Sequence, residues 1–312
     1  MLSAQAIMWI GFAALLAIMF ILDLGVFNRR SHEIRFREAL AWTVVWVSLA
    51  FAFNVWIYFS MGKTKALEFF TGYIIEESLS VDNLFVFIMV FNYFNMAKTH
   101  QPKILKWGII GALIMRGVFI FAGIGLLERF HWMVYIFGGL LLFTGIRMAF
   151  GKEAKIEPEK NLLVRVVGKF FPVSADSRSH RFFLREKGRI AVTQLFLTLL
   201  VVESSDVIFA MDSIPAILAV TTDPFIVYTS NVFAILGLRS LYYLLANVMD
   251  MFVFLKAGIS FILAFVGVKM IIADHYPIPI HISLMVIAFV LATAIVTSLA
   301  QGRMNKNRLS HH

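Results

Sequence analysis

The chain has 312 residues, is 60% hydrophobic and carries a formal net charge of +9. Soluble domains run at roughly 45–50% apolar. Here the excess gathers in blocks longer than the ~18 residues that cross a hydrocarbon core, which excludes both a soluble domain and a disordered chain. No cysteine is present, so disulfides, zinc–thiolate sites and iron–sulfur clusters are excluded, and the placement of the basic residues argues for lipid topology and against nucleic acid.

The apolar pattern predicts an all-α integral membrane protein with nine transmembrane helices, at 5–27, 39–61, 66–95, 103–127, 131–150, 191–219, 226–247, 251–273 and 280–301. The first block lacks a basic leading region and a small-residue cleavage site, so it is expected to be retained. Alternate connections differ sharply in basic residues. One set holds 21 Lys and Arg, including ten in 151–190, and the other set holds only Lys63, Lys65 and Arg129. The positive-inside rule then predicts the N-terminus outside and the C-terminus inside. The 151–190 segment, with Pro158, Pro172 and "SADSRSH", is expected to be a basic cytoplasmic linker near anionic lipid, or a regulatory loop.

The chain also matches itself. Asp82-Asn83-Leu84-Phe85 resembles Asp206-Val207-Ile208-Phe209 at an offset of 124. "ALIMRGVF" (112–119) resembles "ILGLRSLY" (235–242), pairing Arg116 with Arg239 at 123. "FTGIRM" (143–148) resembles "FVGVKM" (265–270), pairing Arg147 with Lys269 at 122. The copies begin three spans apart, an odd number, so they are predicted to be inverted. The expected organisation is two scaffold helices (1–65), a first three-helix repeat (66–150), the basic loop (151–190), a second repeat (191–273) and a C-terminal helix with its tail (274–312). Secondary transporters are often built from such repeats, with the substrate held at mid-membrane between them.

The third and sixth spans carry acids that are costly in a bilayer, about 2.5–3.5 kcal/mol each at a helix centre. "YIIEESLSVDNLF" supplies Glu76, Glu77, Ser80, Asp82 and Asn83; "ESSDVIFAMDSIP" supplies Glu203, Asp206, Asp212 and Ser213. At ~1.5 Å rise per residue both sets fall near mid-bilayer. Glu203, Asp206 and Ser213 share one helical face, as do Glu76, Ser80 and Asn83. Asp212 lies about 180° from Glu203, and a break at Pro215 is expected to bring it inward. Carboxylates, an amide oxygen and hydroxyls are hard donors suited to Mn²⁺, Ca²⁺ or Mg²⁺. The predicted metal ligands are Glu76, Asp82, Asn83, Glu203, Asp206 and Asp212, with Ser80, Ser213 and Glu77 as additional candidates. Arg116 and Arg239 are read as counter-charges. A purely structural set of ion pairs is the competing reading, and the acids outnumber those two arginines.

At these residues the sequence resembles the TerC family of integral membrane proteins, and most closely its Alx-type branch, through "LFTGIRMA", "VESSDVIFAMDSIPAI" and "AVTTDPFIVYTSNVFAILGLR". The resemblance runs along almost the whole chain. It implies metal-ion handling, chiefly Mn²⁺ export, within the wider LysE-type transporter group. It also implies a bacterial-type plasma (inner) membrane location. No resident cofactor and no enzymatic activity are expected. The implied partners are Mn²⁺ or a similar dication, protons and membrane lipid. The alternatives carried forward are a calcium or other dication transporter or channel, and a membrane scaffold connected with metal or tellurite stress. An intramembrane aspartyl protease is disfavoured because its GxGD signature is missing, as is the zinc motif HExxH.

Overall fold

The computed structural model describes residues 4–27, 36–150, 161–174, 181–186, 188–246 and 254–309. Among the described residues the elements are α1 (Ala4–Phe27), α2 (Phe36–Met61), α3 (Lys63–Tyr93), α4 (Gln101–Arg129), α5 (Met133–Phe150), α6 (Leu162–Phe170), β1 (Phe183–Glu186), β2 (Arg189–Val192), α7 (Gln194–Leu218), α8 (Pro224–Leu245), α9 (Leu255–Ile272) and α10 (Ile280–Leu309). The protein is thus almost wholly helical. Seven of these helices, α2, α4, α5 and α7 to α10, are long and apolar enough to cross a membrane. In α1 the described apolar part is shorter, Gln5–Ile21. α3 is long but falls outside on composition, since it carries Glu68, Glu76, Glu77 and Asp82.

The caps explain where several helices begin. Asp223 accepts from the backbone N–H groups of Phe225 and Ile226, and Pro224 opens α8 with its preset φ. Thr193 caps α7 through Phe196. Gly62, with φ of +91°, makes the sharp turn between α2 and α3, a backbone region that glycine enters without steric cost.

The helices pack as antiparallel pairs. α3 begins where α7 ends: Thr221 Oγ1 donates to Glu68 at 2.6 Å, and Lys65 meets Asp223 at 3.0 Å. At the opposite end, Gln194 at the start of α7 donates to the carbonyl of Phe94, just beyond α3. α4 begins where α8 ends, with Tyr242 Oη donating to Gln101 Oε1 at 3.0 Å. α5 begins where α9 ends, with Tyr135 Oη donating to Asp274 at 2.8 Å.

Helices α5 and α9 cross with their backbones nearly touching. A Cβ at Gly145 would stand 2.7 Å from the carbonyl O of Ser260 and 2.8 Å from the N of Ala264. A Cβ at Gly267 would stand 2.7 Å from the carbonyl O of Gly138 and 2.7 Å from the N of Leu142. Adding 122 to Gly145, Gly138 and Leu142 gives Gly267, Ser260 and Ala264. The two contacts are therefore the same contact with the helices exchanged. Small residues at such crossings allow close backbone approach without a hydrophobic driving force.

Apolar residues on either side of the crossing complete the core. One cluster is aromatic, with Phe53 and Phe233 at a ring separation of 4.8 Å among Phe12, Phe69 and Phe225. A second is aliphatic, around Ile75, Ile120, Leu141, Ile214 and Ile259. A third, with Leu84, Phe87, Leu195 and Val201, fills the space near the start of α7.

Two expectations need correction. The described part of the 151–190 segment is not a plain linker: it contains the amphipathic α6 and the β1–β2 hairpin, in which Phe183 pairs with Val192 and Glu186 with Arg189. Gly188 at φ +79° turns that hairpin. The break expected at Pro215 does not take the form of an unwound turn, since α7 runs helically through it to Leu218. Pro215 lacks the N–H that would bond the Met211 carbonyl, and the helix carries on past that gap for its last turn.

Candidate metal-ion site

Three helices bring the first group of charges together at their midpoints. Arg116 of α4 is buried between α3 and α7. Its guanidinium contacts the Glu76 carboxylate of α3 through Nη1. Nη2 meets Asp206 Oδ1 of α7 at 2.9 Å, and Nε reaches Oδ2 at 3.4 Å. Glu76 is 0% and Arg116 1% exposed, so this pair is held out of solvent. Glu203, one turn before Asp206, is close enough for the two carboxylates to repel. Its space comes from α4, where a Cβ on Gly111 would overlap the Glu203 carboxylate. Ser80, Asn83 and Ser213 are also buried.

A second group lies on other faces of α3 and α7. Asp212 accepts a 2.9 Å hydrogen bond from Thr144 Oγ1 of α5 and feels the charge of Arg147. Asp82 is within electrostatic range of Asp212 and of Lys256 on α9. Because the helix stays continuous through Pro215, the 180° separation of Asp212 from Glu203 persists, and Asp212 joins α5 and not the Arg116 cluster. Glu77 is turned toward α8, its Oε1 4.0 Å from where a Cβ on Gly237 would stand. Arg239 is buried in α8, within electrostatic range of Tyr243 one turn on.

The six predicted ligands therefore divide. Glu76 and Asp206 meet at Arg116, with Glu203 one turn before Asp206 and against Gly111; Asp82 and Asp212 lie within electrostatic range of each other; Asn83 is buried next to Asp82 in α3. Among the described residues no three His, Asp or Glu side chains are arranged to hold a metal ion in this conformation. Sequence reasoning missed Thr144 and Gly111. Thr144 stands inside the repeated "FTGIRM" motif, which was a signal. Gly111 had none, because its role is only to leave room for a carboxylate on another helix.

A further charged cluster lies in the connections between helices. Asp274, in the α9–α10 connection, accepts from Tyr135 and lies 3.1 Å from His131 Nε2. The Tyr135 hydrogen bond, then that of His131, holds its carboxyl below the usual aspartate range.

Known proteins place this arrangement in a family. Residues 61–308 match the family of integral membrane proteins called TerC. An uncharacterised membrane protein of Myxococcus xanthus is 47% identical over 95% of this chain and 93% of its own length. The Escherichia coli K12 protein titled "Putative membrane-bound redox modulator Alx" is 45% identical over 97% of each chain. An uncharacterised membrane protein of Rickettsia bellii is 35% identical over 93% of this chain. No solved structure matches. Family match and relatives span the acidic motifs and the repeated segments together, and the chain belongs to the TerC family of integral membrane proteins.

Proposed function

We propose that the protein exports a divalent metal ion, manganese best of all, across the bacterial inner membrane. In this reading the chain spans the membrane nine times with its N-terminus outside, and its core is an inverted repeat of α3–α5 and α7–α9. The antiparallel pairing of α3 with α7, α4 with α8 and α5 with α9, and the exchange of the Gly145 and Gly267 contacts at an offset of 122, support the repeat. The family implied by the sequence sits in the LysE-type transporter group.

One observation carries the functional reading. Two carboxylates, Glu76 and Asp206, share the single guanidinium of Arg116, and a third, Glu203, stands one helical turn from Asp206. With all four ionised, two negative charges remain uncompensated deep among the helices, where uncompensated charge costs several kcal/mol. A hard dication supplies the missing charge and matches the oxygen donors. Protons supply it as well, one carboxylate at a time, so ion and proton compete for the same groups. Alternate exposure of such a site to the two sides gives metal–proton antiport.

Glu203 and Asp206 are the first ligands in this mechanism, with Asn83 and Ser213 as neutral donors. Arg116 keeps Glu76 and Asp206 from separating. Asp82 and Asp212 receive the ion along its path between α3, α5 and α7. The name of the Escherichia coli relative speaks of redox modulation; this chain has no cysteine, so an effect on redox state would run through the exported ion and not through a thiol. The test is equilibrium binding of Mn²⁺ to the purified protein. Glu203→Gln together with Asp206→Asn removes binding if the reading holds. Unchanged binding in that double variant overturns it.

A further inference from the structure

Helix α6 lies antiparallel beside the first three turns of α7 and is pinned at both ends. At one end Asn161 Nδ2 donates to Ser204 Oγ at 2.6 Å, while its Oδ1 caps α6 through the N–H groups of Leu163 and Val164. At the other end Val192 N donates to the carbonyl of Pro172 at 2.9 Å, and Ser174 N to that of Val192 at 2.8 Å. The lengths agree: at ~1.5 Å per residue, residues 161 to 171 and residues 204 to 193 each span about 15 Å. α6 is thus a short extra helix set along the bundle at the end where α7 begins.

Its surface has three strips. Val164 packs with the cluster of Leu195, Val201 and Leu238. Leu163, Val166 and Phe170 form a second strip that is exposed among the described residues, at 43%, 42% and 77%. Arg165 and Lys169, four residues apart, form a third strip and are exposed. At 100° per residue the basic strip lies beside the exposed apolar one. An apolar strip flanked by bases, on a helix set lengthwise against a membrane-spanning one, suits a segment within one leaflet whose apolar side chains meet acyl chains and whose bases reach back along the helix toward the headgroups.

We propose that α6 binds anionic lipid of the leaflet on the α7 N-terminal side. Leu163 and Val166 face the acyl chains, Phe170 lies at the headgroup boundary, and the long side chains of Arg165 and Lys169 reach along the helix to the phosphate headgroups. The charge fits: the 151–190 segment as a whole carries ten Lys and Arg. Asn161 then ties this lipid-bound helix to Ser204, the residue after Glu203 and two before Asp206. Only the naming of the leaflet as cytoplasmic rests on the topology proposed above.

The native absence of cysteine makes the test direct. Single-cysteine variants Leu163→Cys, Val166→Cys, Phe170→Cys and Arg165→Cys of the full chain are labelled with a fluorophore and reconstituted into vesicles. The vesicles are phosphatidylcholine alone or phosphatidylcholine with phosphatidylglycerol. Quenching by acyl-chain nitroxide lipids is expected at 163, 165 and 166, and quenching by headgroup nitroxides at 170, the position nearest the start of α7. Phosphatidylglycerol should strengthen both, and Arg165→Gln with Lys169→Gln, in the 166-labelled protein, should weaken that dependence on the order of five-fold per base. Quenching by aqueous iodide at all four positions, or by neither iodide nor lipid as under a second protein chain, overturns the proposal. An impermeant thiol reagent added to one side, before labelling, reads the leaflet separately. Lipid quenching with outward accessibility would leave the lipid site standing and remove the topology.

Discussion

Arg116 of α4 and Asp206 of α7 meet at 2.9 Å across 90 residues of sequence, and both are buried. Each has a counterpart where the sequence matches itself, Arg239 for Arg116 and Asp82 for Asp206. The pair ties α4 to α7 at one charge.

Removing the guanidinium should therefore be more harmful than removing both charges. Arg116→Gln leaves Glu76 and Asp206 without their partner and should destabilise the protein by about 3–5 kcal/mol. Adding Glu76→Gln and Asp206→Asn to that variant should recover a large part of the loss. Thermal unfolding in detergent measures both. Equal stability of the single and triple variants would remove Arg116 as a counter-ion.

The α5–α9 crossing should respond symmetrically. Gly145→Ala and Gly267→Ala each place a Cβ within 2.8 Å of opposing backbone, and each should cost about 1–3 kcal/mol, the usual range for overpacking. Gly139→Ala on α5, with nothing within 4 Å of its added Cβ, should be neutral or slightly stabilising, since alanine favours the helix. The comparison of three melting curves is the check.

Most of the spans were legible because their apolar blocks exceed the span of a bilayer: seven helices of the described residues are long and apolar enough to cross it, and every predicted span with both ends among the described residues starts and stops within a few residues of its helix, apart from the extended end of α10. The match of the sequence to itself was legible from three near-equal offsets. The division of the acids was not. Helical phase placed Glu203 and Asp206 on one face and Asp212 on the opposite one, but it could not say that Thr144 waits on α5 to receive Asp212. Nor could it say that Arg116 takes Glu76 and Asp206 together. Those outcomes depend on which helices are neighbours, and the apolar pattern of a membrane helix says little about that. α6 was hidden in a basic segment of mixed composition, where nine residues are too few for a span.

Acid should loosen the α5–α9 pair at the end where α5 begins. The Asp274 carboxyl is held below its ordinary value of ~3.9 by Tyr135 and His131. A group depressed on folding binds fewer protons when folded. Its contribution is full above the ordinary aspartate value and is lost as pH falls through the lower folded value. Cross-linking between cysteines introduced at the α4–α5 and α9–α10 connections should be constant from neutral pH to about 4 and fall below that. Tyr135→Phe should move the fall to higher pH.

Mn²⁺ should raise thermal stability, because a ligand that binds the folded state alone at one hundred times its Kd adds about 2.7 kcal/mol. Glu203→Gln with Asp206→Asn should abolish the shift. Differential scanning fluorimetry in detergent at several Mn²⁺ concentrations measures it, with Mg²⁺ as the comparison ion.

Transport itself is the most direct test. Proteoliposomes with an imposed pH gradient and Mn²⁺ on one side should accumulate or release Mn²⁺ in the direction opposite to proton flow. Flux should collapse in the Glu203→Gln, Asp206→Asn double variant. Gradient-independent leakage, or full flux in that variant, would contradict an exporter built on these carboxylates.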